Sequence, residues 1–177
     1  MSGPSDDFVI ALASAEELAC LPEIEARAAG LFAPESLPPD LPLATSVEKL
    51  RPAQAEGRIW VARARDGRVL GFALVESLGS DGVLEELDVE PEAGRRGIGT
   101  RLVEAACDWA LAKGHARIVL STFREIPWNA PFYARLGFRE IPESERTQVL
   151  SEMRDAERAL GFALEDRVLM ARILRSD

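Results

Sequence analysis

The stretch of sequence that decides the fold is LDVEPEAGRRGIGTRLVEAACDWALAKG, residues 87–114. It opens inside a β-rich run, 83–91, that ends at Pro91, and proline is typical of the end of a strand. Apolar residues then recur every three or four positions over 97–113, which is the spacing of a helix that packs by one face. Gly114 follows as a stop signal. The stretch therefore predicts a strand, a glycine-containing turn and a long helix.

The turn between strand and helix, GRRGIGT at Gly94–Thr100, is suited to a phosphate group. Glycines let the main chain approach a ligand closely, and a helix N-terminus offers N–H groups without intrahelical partners and about half a positive charge. Arg95 and Arg96 add positive charge at the same place. A glycine pair alone also fits an ordinary tight turn, and the P-loop lysine is absent. The turn thus indicates a pyrophosphate site without indicating ATP hydrolysis.

The segments outside this stretch predict hairpins that lead into alternating strands and helices. The predicted strands are 8–13, 58–65, 68–77, 83–91, 116–122, 137–141 and 167–174, with turns at 66–67 and 79–82. The predicted helices are 14–31, 46–56, 97–113, 129–136 and 144–160. Ser14 is the opening signal of the first helix and Ser144 that of the last, and residues 33–44 form a proline-rich loop. This order predicts a mixed sheet flanked by helices and disfavours a dinucleotide-binding Rossmann unit.

Length and composition indicate one globular domain. The chain has 177 residues, of which 47% are apolar and 29% charged, so we expect a single domain over 1–177. No stretch approaches the roughly 18 uninterrupted apolar residues of a membrane span, and the N-terminal MSGPSDDFVI lacks a basic and then apolar signal. We therefore expect a cytoplasmic protein without a membrane partner.

The charge balance and the few histidines and cysteines exclude several classes of function. With 21 basic and 30 acidic side chains the net charge is −9, which disfavours nucleic acids as partners. Cys20 and Cys107 lie within apolar patterns that favour packing over a disulfide. His115 is the single histidine, so Ser-His-Asp, Cys-His and multi-histidine zinc chemistry are disfavoured. We expect no metal.

A second motif, WNAPFYARLGF at 128–138, lies beyond the long helix. With both motifs in this order, residues 84–138 resemble the GNAT superfamily of acyl-CoA-dependent N-acetyltransferases, and the preceding hairpin with GFALVES from Gly71 is similar as well. The resemblance covers about a third of the chain. It implies an α/β (α+β) fold with a central mixed, mostly antiparallel sheet flanked by helices and a splay between the fourth and fifth strands.

The resemblance implies acetyl-CoA as co-substrate, lying between the strand at 87–89 and the strand at 116–122. The usual glycine motif is Gln/Arg-x-x-Gly-x-Gly/Ala; Gly97 and Gly99 match it, and Gly94 replaces the Gln or Arg. Main-chain N–H groups form such a cradle, so the departure removes only a side-chain contact, and Arg95 or Arg96 would replace its charge. The implied cofactor-binding residues are Leu87 and Val89 for the pantetheine arm and thioester, Arg95, Arg96, Gly97, Ile98, Gly99 and Thr100 for the pyrophosphate, and Asn129.

The expected chemistry requires a proton acceptor and a proton donor. A primary alkyl amine is about three units below its pKa at neutral pH, so only about one part in a thousand is the nucleophilic free base. Glu85 and Glu86 are candidate bases that point to opposite faces of their strand, and either could instead be a solvated strand carboxylate. Tyr133 matches the family tyrosine that protonates the leaving CoA thiolate; the alternative is a core aromatic.

The function we expect is that of an acyltransferase that moves an acetyl group from acetyl-CoA to a primary amine, by direct attack and with a small-molecule acceptor. A polyamine, an aminoglycoside and an amino-acid-like amine fit the acidic balance, while a protein N-terminus or lysine stays open. The alternative is a non-catalytic acyl-CoA-binding sensor or interaction module, and a protein that binds NAD or ATP comes third. The helix at 144–160 is expected to cover the acceptor side or to form a contact in a homodimer.

Overall fold

A computed structural model describes residues 7–174, which form seven strands and five α-helices. The strands are β1 (Phe8–Leu12), β2 (Ile59–Ala64), β3 (Val69–Leu78), β4 (Asp81–Val89), β5 (Arg117–Phe123), β6 (Arg139–Glu140) and β7 (Arg167–Ile173). The helices are α1 (Leu21–Ala29), α2 (Val47–Ala55), α3 (Ile98–Ala112), α4 (Ala130–Arg135) and α5 (Gln148–Ala159). These elements confirm the predicted mixed sheet flanked by helices.

The seven strands form one hydrogen-bonded sheet in the order β1-β2-β3-β4-β5-β7-β6. The pairs β1–β2, β2–β3, β5–β7 and β6–β7 are antiparallel, while β4 and β5 are parallel. The parallel register has two residue pairs, Gly82 with Ile118 and Val83 with Val119. Pairing of the fourth and fifth strands is thus limited to a short part of each, as expected for a sheet with a splay between them.

The described chain divides into two compact units. The first comprises residues 7–32, 42–75 and 86–106, and the second comprises 33–41, 76–85 and 107–174. The first has its own apolar core, to which α1, α2, β2 and β3 contribute. The largest fully buried members of that core are Leu18, Leu21, Ile24, Leu50, Ile59 and Phe72.

The second unit combines an apolar core with a buried cluster of charged side chains. Its core includes Val83, Val119, Ile141, Leu150 and Leu169. The charged cluster lies on α5 and its surroundings, where Glu157 accepts hydrogen bonds from two arginines that are about as buried as it is.

The buried charged groups of this cluster form hydrogen bonds with one another and with the main chain. Arg154 donates to Glu157 at 2.9 Å and to the main-chain oxygen of Leu164 at 2.7 Å. Arg167 donates to the other oxygen of Glu157 at 2.7 Å, and its guanidinium carbon lies 4.7 Å from the ring centres of both Phe123 and Phe162. α5 thus turns Leu150, Arg154 and Glu157 into its own unit, while the predicted part of this helix in covering the acceptor or in a homodimer stays a prediction.

The predicted helix 14–31 is wrong as one continuous helix. The structure has a 3-10 turn at Glu17–Ala19 and then α1, which begins at Leu21. The interruption follows from Pro22, because proline has no N–H to donate to the carbonyl four residues earlier and is tolerated only in the first helical turn.

Two other predicted boundaries are also wrong. Ser144 does not cap α5; it lies in a 3-10 turn, Glu143–Glu145, and the Oγ1 of Thr147 accepts the N–H of Leu150 at 3.4 Å instead. β4 begins at Asp81 and not at residue 83, because the Asp81 carboxylate accepts two hydrogen bonds from Arg117, at 2.7 and 2.9 Å, beside the parallel pairing.

Among the described residues, no helix is both long and apolar enough to cross a membrane.

We predict that Glu157→Ala lowers the free energy of unfolding by about 3–5 kcal/mol, because it leaves the two buried guanidinium groups of Arg154 and Arg167 without their carboxylate. Asp155→Ala is the matched control: its partner Arg158 is on the same helix, and both side chains are about two-thirds exposed, so we expect little change. Denaturant unfolding of both variants measures the difference. Equal effects would contradict the structural role of the cluster.

Candidate functional site

In the first unit, the predicted phosphate turn has the backbone geometry of a main-chain cradle. Gly97 has φ +79°, and Arg95 is the one non-glycine residue with a positive φ, +61°, among the described residues. L-residues avoid this left-handed conformation, so the loop holds it at a cost. Gly94 has φ −58°, which any residue can adopt, so the backbone conformation does not require glycine at this position. The two left-handed residues alternate with ordinary ones in the chain that enters α3.

The cradle ends in the first turn of α3, which begins at Ile98. The N–H of Arg101 donates to the oxygen of Gly97 at 3.1 Å, so the helical hydrogen bonding starts there. The N–H groups of the first turn precede this bond and belong to the set that a helix leaves for a ligand. The turn from Gly94 to Gly97 is exposed, and Arg96 forms a long ion pair with Asp7, 3.7 Å, in which both side chains are solvent-accessible. The loop can therefore present both N–H groups and cationic side chains to an anion.

The two faces of β4 differ in their surroundings, and the difference separates the two candidate bases. Glu90, next after the strand, receives two hydrogen bonds from Arg27 of α1, at 2.9 and 2.6 Å. Because side chains alternate along a strand, Glu86 and Asp88 share that face with Glu90. Glu85 points the other way and is exposed, whereas Glu86 is partly buried. Glu86 is thus the one of the pair on the face next to α1.

Asp88 is a titratable group on that face that the sequence-based prediction missed. Its Oδ2 is buried and has no hydrogen-bond partner in the described part of the chain. Burial, and after it the charge of Glu25 on α1, raises the pKa of Asp88 to about 7. Burial also raises the pKa of Glu25, which accepts the N–H of Thr45 at 2.7 Å. Shared parity with Glu86 was visible in the sequence, but the position of α1 was not.

In the second unit, α4 holds the other two predicted site residues. Asn129 precedes the helix, and its Oδ1 accepts a hydrogen bond from the Thr122 hydroxyl of β5 at 2.6 Å. Tyr133 is buried, and its ring lies edge-on to Phe132 and Phe138 with centroids 5.1 and 5.6 Å away. Asn129 is therefore oriented by β5, and the aromatic contacts fix the ring of Tyr133.

The remaining residues that the sequence singled out have packing roles or open positions. Trp109 and Phe138 are buried, and Trp128 is half exposed. His115 interacts with two serines: its Nδ1 lies 3.0 Å from the oxygen of Ser80 and therefore donates, and its Nε2 then accepts from the Ser77 hydroxyl at 2.8 Å. In the described chain, no group of three or more His, Cys, Asp and Glu is arranged to hold a metal ion.

Comparison with known proteins assigns the family. The model of the acetyltransferase (GNAT) family matches residues 26–138, more than half of the chain. The chain belongs to the acetyltransferase (GNAT) family. The matched range includes β4, the glycine turn, α3 and α4, so the resemblance predicted from two motifs is confirmed.

Several solved structures share this fold at low sequence identity. A Mycobacterium tuberculosis protein in complex with CoA has 22% identity and a TM-score of 0.68 over 94% of this chain and 99% of its own. N-acetylglutamate synthase from Neisseria gonorrhoeae, complexed with coenzyme A and N-acetyl-glutamate, has 22% identity and a TM-score of 0.71 over 96% of this chain and 35% of its own.

A third structure, the ribosomal-protein-S18-alanine N-acetyltransferase from Escherichia coli, has 20% identity and a TM-score of 0.64 over 96% of both chains. At these identities the likeness establishes the fold. One of these structures holds N-acetyl-glutamate and another enzyme is named for an alanine of a ribosomal protein, so the likeness leaves the acceptor of this chain open.

The site geometry predicts that Asp88→Asn changes the pH dependence of stability. A carboxyl with a pKa raised from 3.8 to about 7 binds its proton more tightly in the folded than in the unfolded protein, so stability falls as pH rises through that interval. The gain in melting temperature of the variant over wild type should therefore grow between pH 5 and pH 8. Thermal unfolding across this range measures it, and a constant difference between the two proteins would contradict the raised pKa.

Proposed function

We propose that the chain transfers an acetyl group from acetyl-CoA to a primary amine of a small molecule. The observation that carries the proposal is the left-handed backbone at Arg95 and Gly97 ahead of the first turn of α3. Such a loop offers main-chain N–H groups to an anion, and Arg95 and Arg96 add two cations to the same turn, which suits a pyrophosphate. The CoA bound in two structures with the same fold supports the same ligand class.

In the proposed arrangement, Arg95, Arg96, Gly97, Ile98, Gly99 and Thr100 hold the pyrophosphate. The main-chain groups of Leu87 and Val89 bind the pantetheine arm and thioester, and Asn129 contacts the cofactor. Asn129 is already oriented by Thr122, which leaves its amide group less rotational freedom to lose on binding. Tyr133 donates the proton to the leaving thiolate.

The proposed reaction is a direct transfer. The free amine attacks the thioester carbonyl carbon, an N–C bond forms, and the C–S bond breaks as the CoA thiolate leaves. One proton leaves the acceptor nitrogen and one reaches the sulfur from the Tyr133 hydroxyl, so no enzyme nucleophile is required. Glu85 and Glu86 are the acidic side chains that the sequence proposes for the first proton.

The acceptor we propose is cationic at neutral pH, because the net charge of −9 attracts such molecules. A cytoplasmic location, a single functional domain and a monomer or homodimer complete the proposal. A chain that bound acyl-CoA without transferring the acyl group would be a sensor, and amine-dependent release of thiol distinguishes the two functions.

We predict that acetyl-CoA at 100 times its Kd raises the unfolding free energy by about 2.7 kcal/mol, which corresponds to several degrees in melting temperature. Gly97→Leu should remove this stabilisation, since the side chain fills the cradle and φ +79° disfavours it. Thermal unfolding with acetyl-CoA, and with NAD and ATP for comparison, measures it.

The matched control is Gly67→Leu. Gly67 also has a left-handed φ, +87°, and no atom within 4 Å of an added Cβ, but it lies in the turn between β2 and β3. The control should lose similar intrinsic stability and keep the acetyl-CoA shift. A full shift in Gly97→Leu would contradict the assignment of the turn, and an equal response to NAD would favour a general nucleotide site.

We predict that Tyr133→Phe lowers kcat by about 100-fold or more, because the thiolate loses its proton donor. The ring contacts to Phe132 and Phe138 remain, so the melting temperature and the acetyl-CoA shift should stay close to wild type. Steady-state thiol release at saturating acetyl-CoA measures kcat. An unchanged kcat would exclude Tyr133 as the acid.

A further inference from the structure

We propose that Asp88 is the residue that takes the proton from the acceptor amine, in place of Glu85 and Glu86. This inference rests on the proposed function, since it names the proton acceptor of that reaction. It also specifies the acceptor as one that arrives as an alkylammonium ion. The reasons are the position of Asp88 on β4, its unpartnered buried oxygen and the charges around it.

The first reason is position. Asp88 lies between Leu87 and Val89, whose main-chain groups are the ones proposed to hold the thioester. In the proposed site this brings a carboxylate within one residue of the thioester, on the strand face opposite to the side chains of Leu87 and Val89. Glu86 is two residues further back along the strand, roughly 7 Å from Asp88 at the usual rise per residue.

The second reason is the state of the carboxylates. Glu85 and Glu86 each already take part in a further interaction, and Glu90 is bound to Arg27 by two hydrogen bonds. The Oδ2 of Asp88 is buried and has no hydrogen-bond partner in the described chain. A buried acceptor atom without a donor costs free energy, and an ammonium or amine N–H supplies the missing donor.

The third reason is the charge around the group. The charge of Glu25 on α1 acts on Asp88, Glu86 and Glu90 share its strand face, and Arg27 of α1 is already bound to Glu90 and Glu23. On β3 the neighbour of the Asp88 main chain is Gly71, which has no charge. The surroundings are therefore net acidic, so they attract a cation and also keep the carboxyl ready to accept a proton near neutral pH.

The proton balance is simple. Asp88 in its charged form removes one proton from the R–NH3⁺ group, which gives the free amine, and the amine then attacks the thioester carbon. As the C–S bond breaks, Tyr133 protonates the departing sulfur, and the second proton that the nitrogen loses on forming the amide restores the Tyr133 hydroxyl by way of solvent. The proton on Asp88 returns to solvent after the product leaves, so the net reaction releases one proton. The rate should therefore rise with pH as Asp88 loses its proton.

The experiment compares wild type and Asp88→Asn by thiol release from acetyl-CoA with three probe amines: spermidine, kanamycin and lysine. With whichever probe the wild type acetylates, we expect kcat/KM at pH 7 to fall at least 100-fold in the variant. The rise of kcat/KM with pH through about 7 should disappear, and Asp88→Glu should restore part of the activity. Glu48→Gln, an exposed position on α2, is the control and should behave as wild type.

The outcomes separate the inference from the function on which it rests. Asp88→Asn must keep the acetyl-CoA shift in melting temperature, which shows a folded, cofactor-binding protein. If it also keeps its rate within about twofold, or if Glu86→Gln rather than Asp88→Asn loses the pH dependence, the assignment of Asp88 is overturned while the transferase function stands. If the wild type acetylates none of the probes, the transfer to a small amine and the role of Asp88 are overturned together.

Discussion

Only glycine fits at position 71 on β3, and the position of the end of β4 depends on the absence of a side chain there. A Cβ there would lie 2.6 Å from the main-chain oxygen of Asp88 and 3.1 Å from the Cα of Val89, so any other residue would push β4 away from β3. The close approach continues at Glu90, whose N–H donates to the oxygen of Leu70 at 2.8 Å. The segment that leads from β4 to the glycine turn is therefore fixed by a missing side chain one strand away.

Gly82 has the same effect in the second unit. A Cβ added there would lie 2.7 Å from the Cβ of Ala110, which lets this part of α3 pack directly on the start of β4. β4 is thus closely packed at both ends: β3 approaches its last residues at Gly71, and α3 approaches its first residues at Gly82. Close-packed interiors tolerate little added volume, so both positions require glycine because there is no room for a side chain, and not because of the backbone dihedral angles.

Much of the fold could be predicted from the sequence because its signals are local. Apolar spacing predicted α3 within a residue at each end, and Asp66-Gly67 predicted the β2–β3 hairpin. The errors arose where one residue overrides a pattern: Pro22 divides the first predicted helix, and Thr147 rather than Ser144 caps α5. The charged pattern of α5 gave no hint that Glu157 would be buried, since its partner Arg167 is on another element.

The candidate site was predictable to the same degree. Glycines in the sequence drew attention to the turn at Gly94–Thr100, whose left-handed residues the structure shows. The site roles of Asn129 and Tyr133 came from the family resemblance and stay predictions. The base could not be chosen, because alternation along β4 tells which carboxylates share a face but not what that face contacts. Only the hydrogen bonds between Arg27 and Glu90 show that α1 lies on the side of Asp88, and no local pattern contains that information.

At Arg95 the positive charge of the side chain and the stability of the backbone favour different residues. A non-glycine residue at φ +61° costs on the order of 1–2 kcal/mol relative to an ordinary conformation, and glycine would remove that cost. Glycine would also remove a cation from the mouth of the cradle. The sequence thus keeps a cation at a position where glycine would be easier to fold. If the turn binds an anion as proposed, Arg95→Gly would relax the backbone and weaken the attraction for that anion at the same time, so loop strain and ligand charge are linked through one dihedral angle.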